Sequence, residues 1–392
     1  MRLDRGIALV AFLVGAACSP GGDTLTATWH GSAELHDSVW VVTNPDTPLF
    51  DSTLVSLTPQ WAVELTPDSV VSWVAPGHVR LLHGVAYVLD MPAFRIAAFD
   101  TLGQRVVAFG REGAGPGEMK APTDLFVMND AVGVGDGRLG RAMFYDESGH
   151  YLRSVPIPQM SAVWPAGDSA ILVRHFQPGE PGWQLVNADS ARELGPMSER
   201  GAPYAQSGAG CWGDGAGSTV VLVSCKSPSL LIFSPSMHLM RAVSIERPEQ
   251  RATDAQLSHL KAFMNERLSK MPMKPDARAG MVELVLKENT MRKDVRGIAV
   301  DSAAGLIAIW DQIGDGYGGG NASFDVLSLS GVYLAHLVLP RPLTAFDLDG
   351  GRLVTLSEDS LTGTVTLRSA RIDLPEAWRA VAAAADTVMK TD

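Results

Sequence analysis

Charged residues are scarce in this chain. They make up 19% of its 392 residues, against 46% that are hydrophobic. That density is too low for a disordered chain, and the apolar content is ample for a buried core. The formal net charge is −11, spread along the sequence. A diffuse acidic balance excludes a nucleic-acid groove, which needs a concentrated basic face. No apolar run approaches the roughly 18 residues of a membrane-spanning helix. H-E-x-x-H, G-x-S-x-G and a partnered S-x-x-K are all missing, so no common catalytic signature is present. Cysteine occurs only three times.

What is present is a repeat. Val88 to Gly103 returns 46 residues later as Val134 to Gly149, with Asp90 on Asp136, Arg95 on Arg141, Asp100 on Asp146 and Gly103 on Gly149. A period of about 40–50 residues built from short strands and polar turns marks the blades of a propeller. Weaker copies lie at Ala170 to Asp189, Leu222 to Met237, Ile307 to Gly331 and Arg352 to Ile372, which makes six units. The aspartates follow from turn chemistry: Asp accepts hydrogen bonds from N–H groups two or three residues on, and Gly takes the positive φ. The predicted fold is therefore all-β, a six-bladed β-propeller over 37–374. Ser38 to Thr43 is expected to join the last sheet and close the ring, which removes an open edge.

One stretch breaks the pattern. Glu246 to Arg296 shows no strand alternation. Thr253-Asp254-Ala255-Gln256 begins a helix in capping-box style, and Leu257, Leu260, Phe263, Met264 and Leu268 share one face. Residues 246–296 are read as a helical insertion, either a loop decorating one face or a lid or partner-docking element over the channel mouth. Residues 375–392 read as a short helix or a frayed tail.

The N-terminus carries Arg2 and Arg5, then the nine-residue apolar run Gly6 to Val14, then Gly15-Ala16-Ala17 before Cys18. A basic n-region, a short apolar stretch and small residues mark a secretory signal over 1–17. Together with Cys18 this resembles the lipobox of bacterial lipoproteins, although Gly15 stands where that motif usually has leucine. The resemblance implies that Cys18 is lipidated, that 18–36 is a tether, and that the protein faces the periplasm or cell surface, with the outer membrane expected. Phe109 to Val127 resembles the inter-blade signature of NHL-repeat propellers: Phe109, Gly110, Gly113, Gly115, Pro116, Gly117, Glu118 and Pro122 match, and Met119 replaces an aromatic. With Asp37 to Asn44 and Val300 to Trp310, the chain resembles the secreted six-bladed β-propeller lipoproteins of Gram-negative bacteria.

Candidate chemistry is sparse. Gly135 to Gly140 spells G-x-G-x-x-G, but a strand-turn-strand context with no following helix excludes a phosphate cradle. His83 and His175 are candidates to face the central channel, although a lone histidine there is more often a scaffold residue. Asp311, Asp315 and Asn321 flank a glycine-rich insert and offer oxygen ligands suited to Ca²⁺, without EF-hand spacing. No cofactor is expected otherwise. Cys211 and Cys225 are either a disulfide, which an oxidising compartment permits, or two buried thiols. Asp347 to Gly351 reads as a hairpin turn. The expected function is a lipid-anchored envelope module that binds or scaffolds a protein, peptide or glycan. The alternative is a metal-dependent propeller enzyme of lyase or lactonase type, with His and carboxylates in the channel.

Overall fold

The computed structural model describes residues 27–389, apart from 129, 160, 176–181, 196–211, 224–228, 248–252, 270–273, 289–294, 314–320 and 360. Cys18, Cys211, Cys225 and Asp315 lie outside the described residues. Three strands come first: β1 (Ser32–His36), β2 (Val39–Asn44) and β3 (Ser56–Glu64). Six blades follow. Blade 1 is β4 (Pro76–Leu82), β5 (Val85–Asp90), β6 (Arg95–Phe99) and β7 (Arg105–Phe109). Blade 2 is β8 (Pro122–Met128), β9 (Ala131–Asp136), β10 (Arg141–Tyr145) and β11 (Tyr151–Pro156). Blade 3 is β12 (Ser161–Pro165), β13 (Ala170–His175), β14 (Gly182–Asn187) and β15 (Ala191–Glu193). Blade 4 is β16 (Trp212–Ala216), β17 (Thr219–Val223), β18 (Ser229–Phe233) and β19 (Leu239–Ile245). Blade 5 is β20 (Val295–Asp301), β21 (Leu306–Ile313), β22 (Asn321–Ser328) and β23 (Tyr333–Leu339). Blade 6 is β24 (Ala345–Asp349), β25 (Arg352–Glu358) and β26 (Val365–Asp373), completed by β3.

The first strand of each blade lines the axis, and each such strand neighbours the next around a closed ring. The sequence repeat falls on the middle two strands of every blade. Its aspartates act as turn scaffold. Asp136 accepts the N–H groups of Arg138 and Leu139 ahead of it and of Lys120 and Ala121 at the start of the inner strand. Asp90 does the same for Ala93, Val74 and Ala75. Asp100 and Asp146 each hold a later turn, and Asn187, Ser234 and Ser328 fill that role in other blades. Gly149 sits there at φ +85°, where a Cβ would lie 2.4 Å from the Phe109 ring. Both needs exclude any other residue.

Ring closure differs from the expectation. β2, which holds Val39 to Thr43, pairs in parallel with β19 and extends blade 4, with β1 outside it. The strand that completes blade 6 is β3, antiparallel to β26. The apolar, β-branched β2 reads as the stronger strand. β3 alternates polar residues and carries Pro59 beside a register shift. Proline is tolerated at such an edge because no neighbour needs its N–H. Between the two, Leu49 and Phe50 donate N–H bonds to Tyr333 and Leu334 of β23. Residues 32–64 therefore run as a strap across the outer edges of blades 4, 5 and 6. Asn44 pins it. Its amide donates to the carbonyls of Ser244 and Gly331, and its Oδ1 accepts from the Trp29 indole and the Tyr333 N–H.

Between β19 and β20 lie helices α1 (Asp254–Ser269) and α2 (Pro275–Glu288), packed on each other. Leu260 and Leu268 are buried, with Leu257 and Met264 half-buried on the same face. Pro275 opens the second helix, where its missing N–H costs nothing. Val295 and Arg296 belong to β20 rather than to the insertion. After β26 the chain forms α3 (Ala377–Val388), which buries Trp378, Val381, Ala382 and Ala385 against blade 5. No helix among the described residues is long and apolar enough to cross a membrane.

Candidate functional site

We call the face where inner strands begin proximal and the face where they end distal. β19 ends, and β20 and β1 begin, on the proximal side, so the insertion that carries α1 and α2 joins the blades there. The channel between the faces is plugged. Arg80, mid-way along β4, is the plug's cation. Its Nη1 lies 2.9 Å from Asp347 and 3.5 Å from Asp214, and its Nε donates to the Leu125 carbonyl. Asp347, Asp214 and Asp124 occupy the middle of β24, β16 and β8, the inner strands of alternate blades. Each also accepts a backbone N–H from the inner strand of the following blade: Asp347 from Leu81, Asp214 from Val300 and Asp124 from Val163. The three carboxyls staple blade 6 to 1, blade 4 to 5 and blade 2 to 3.

The electrostatics follow from burial. Desolvation pushes Asp347 up to about 7 and Asp124 up to about 6, and it raises Asp214 as well. Burial also opposes the charge on Arg80, but Asp214 and Asp347 outweigh it and raise its pKa. His78, two residues earlier on β4, is lowered to about 4 by burial and then by the Arg80 charge. It is a neutral imidazole at physiological pH.

The plug leaves two cups. The distal cup has a volume of about 340 Å³ and is polar, with Asp130, Asp168, Asp349, Ser302 and His83 at its walls. His83 occupies the β4–β5 turn, 58% exposed, paired with Glu147 at 2.7 Å and Asp130 at 3.2 Å across the seam to blade 2. It lines the mouth of the distal cup from this turn. The proximal cup, about 250 Å³, is aromatic: Trp164, Trp212, Trp310 and Phe346 line it with His78 and Arg296. Trp164 is fixed by stacking on Trp183, and Trp310 by edge contact with Phe346. Trp212, which opens β16, remains 41% exposed at the mouth.

The other sequence candidates lie elsewhere. His175 ends β13, buried, and lines neither cup. Asp311 is buried 3.7 Å from Arg247, while Asn321 is exposed at the start of β22. Arg247 also forks onto Asp325 at 2.5 and 2.7 Å, reaches the Tyr333 hydroxyl and binds Asp46 of the strap. His336 and Tyr333 complete the shell around Asp325. Burial opposes that carboxylate's charge, but the bonds from His336 and Arg247 hold it down at about 2. Asp311 thus faces a cation across 3.7 Å. Among the described residues, no group of three or more His, Cys, Asp or Glu is placed to hold a metal ion. Gly135 to Gly140 forms the β9–β10 turn, with no helix behind it.

The plug residues escaped the sequence reading. Their only signal is one aspartate inside each of three inner strands, in Thr-Asp-Leu, Gly-Asp-Gly and Phe-Asp-Leu. Asp347 was expected in a turn, but the turn is Gly350-Gly351, with φ of +58° and +72°. Those two positive values make the two-residue hairpin.

No protein-family model matches the chain, and no curated protein matches it. Solved structures do. A protein described as exported, from Bacteroides fragilis, is 12% identical with a TM-score of 0.51, over 85% of this chain and 99% of that one. A member of the DUF4221 family from Bacteroides vulgatus is 9% identical with a TM-score of 0.53, over 83% of this chain and all of that one. At such identities the likeness is one of fold alone.

Proposed function

We propose that this protein is a non-catalytic binding propeller of the bacterial cell envelope, tethered through a lipid on Cys18, which takes its ligand at the proximal cup. The observation that carries the reading is Trp212, a large aromatic left exposed over an aromatic cup whose floor is closed by the plug. Rings of this kind stack on flat faces, so the ligand presents a sugar ring or an aromatic side chain. The plug itself offers little to catalysis, because each of its carboxyls is engaged by the inner strand of the next blade. The description of the Bacteroides fragilis protein of like fold as an exported protein supports an envelope location. The tether length is compatible: eight residues lie between Cys18 and Ala27, a reach of at most about 30 Å. That span leads to the face that bears the cup.

Two measurements test this. Cys18→Ser should move the protein from the detergent phase to the aqueous phase; unchanged partition would remove the anchor. On that soluble protein, titration with N-acetylglucosamine oligomers and with tryptophan-containing peptides should give saturable quenching of tryptophan fluorescence. Trp212→Ala should weaken the binding by about tenfold or more, as for an aromatic anchor at the centre of a site. Equal affinity in the two proteins would sink the assignment of the cup.

A further inference from the structure

A further cavity lies away from the channel. It is a groove of about 790 Å³ between β23 of blade 5 and the outer half of blade 6. Ligand pockets span about 300–1,000 Å³. Leu337 and Leu339 form one wall, and Leu57 and Leu353 the other. The strap that covers the start of β23 leaves it after Phe50, so the groove opens outward below that point.

The charges in the groove run against those of the whole molecule. The chain carries a net −11, yet no aspartate or glutamate lines this cavity, while Arg341 and Arg368 both do. Among the described residues, Arg368 bonds only to a neutral partner, the hydroxyl of Ser357. Burial lowers its pKa first, and the charge of Arg341 lowers it further; Glu64, outside the groove, works weakly against both. The Arg341 guanidinium makes no hydrogen bond or ion pair among the described residues. Two cations lining one groove that holds no carboxylate of its own repel each other, and a ligand carboxylate between them would relieve that cost while accepting paired N–H bonds.

We propose that this groove binds an amphipathic organic anion, an apolar body with a single carboxylate that sits between Arg341 and Arg368. The leucine walls take the apolar body, and the arginine pair selects the sign of the head. The site is separate from the proximal cup and does not depend on it.

Dodecanoate, below its micellar concentration, is the probe, titrated calorimetrically into the soluble Cys18→Ser protein. One molecule should bind per chain. Dodecyltrimethylammonium, with the same tail and opposite head, should bind about a hundredfold more weakly or not at all, since each charge-assisted bond contributes on the order of tenfold. Arg341→Gln removes no internal bond and should weaken dodecanoate by about tenfold. Arg368→Lys should retain part of the affinity, and Trp212→Ala all of it. The proposal is overturned if dodecanoate does not bind, if both surfactants bind alike, or if Arg341→Gln leaves the affinity unchanged. It is equally overturned if an acidic octapeptide displaces dodecanoate and binds more tightly, because the occupant would then be an added strand on β23.

Discussion

Arg80→Leu lowers the stability of the domain by about 3–5 kcal/mol at neutral pH, the cost of leaving buried carboxylates without their cation. The sign of its pH dependence is fixed by the same groups. Asp124 and Asp347 have folded values of about 6 and 7, above the 3.8 of an unperturbed aspartate. Between those limits the folded state binds more protons than the unfolded one, so their contribution is present at low pH and lost as pH rises through 6 to 7. Without Arg80 both carboxyls move further up. The penalty is therefore greatest at neutral pH and shrinks towards about pH 5, where the folded protein keeps its protons at little cost. Urea denaturation at the two pH values measures this. An equal loss at both would mean that the carboxyls are not the reason Arg80 matters.

Arg247→Met removes the cation from the second buried cluster, with a loss of about 3–5 kcal/mol at neutral pH. Here the pH dependence has the opposite sign. Asp325 is held at about 2, below 3.8, so its contribution is present above the unfolded value and lost as pH falls towards 2. In the variant Asp325 keeps only the Tyr333 hydroxyl and His336. The difference from wild type should narrow between about pH 4 and pH 2, as that carboxyl protonates in both proteins. Melting temperatures across this interval decide it; a gap that widens in acid would refute the pairing. Because Arg247 also binds Asp46, the variant should additionally speed amide exchange at Leu49 and Phe50, where the strap crosses β23.

The two clusters show what the sequence could and could not convey. The blades were legible because their turns are local: Asp100, Gly103 and the N–H groups they organise lie within five residues. The same chemistry survives as Asn187 or Ser234, so the copies remain visible as they diverge. The plug was not legible because its bonds are long-range. Arg80 meets Asp214 and Asp347 only after the ring has closed, and each aspartate alone looks like an ordinary polar residue in a strand. The proximal cup failed for a similar reason: Trp164, Trp212, Trp310 and Phe346 come from blades 3, 4, 5 and 6. The strap was misplaced because strand propensity describes how well a segment pairs, not which edge it pairs with.

That strap also dictates an order of assembly. β2 waits for β19, about two hundred residues downstream, and β3 waits for β26, the last strand of the domain. Blades 1, 2 and 3 contain only their own consecutive strands and can form as the chain emerges. β2 and β3 therefore precede β19 and β26 in synthesis by most of the domain. Until β19 emerges, Val39 to Val42, paired with β1 on one side only, keeps an open apolar, β-branched edge, the kind most prone to join another chain. Folding of this protein is a race between completion of blade 4 and capture of that strand, and a truncation before Leu239 would lose the race every time.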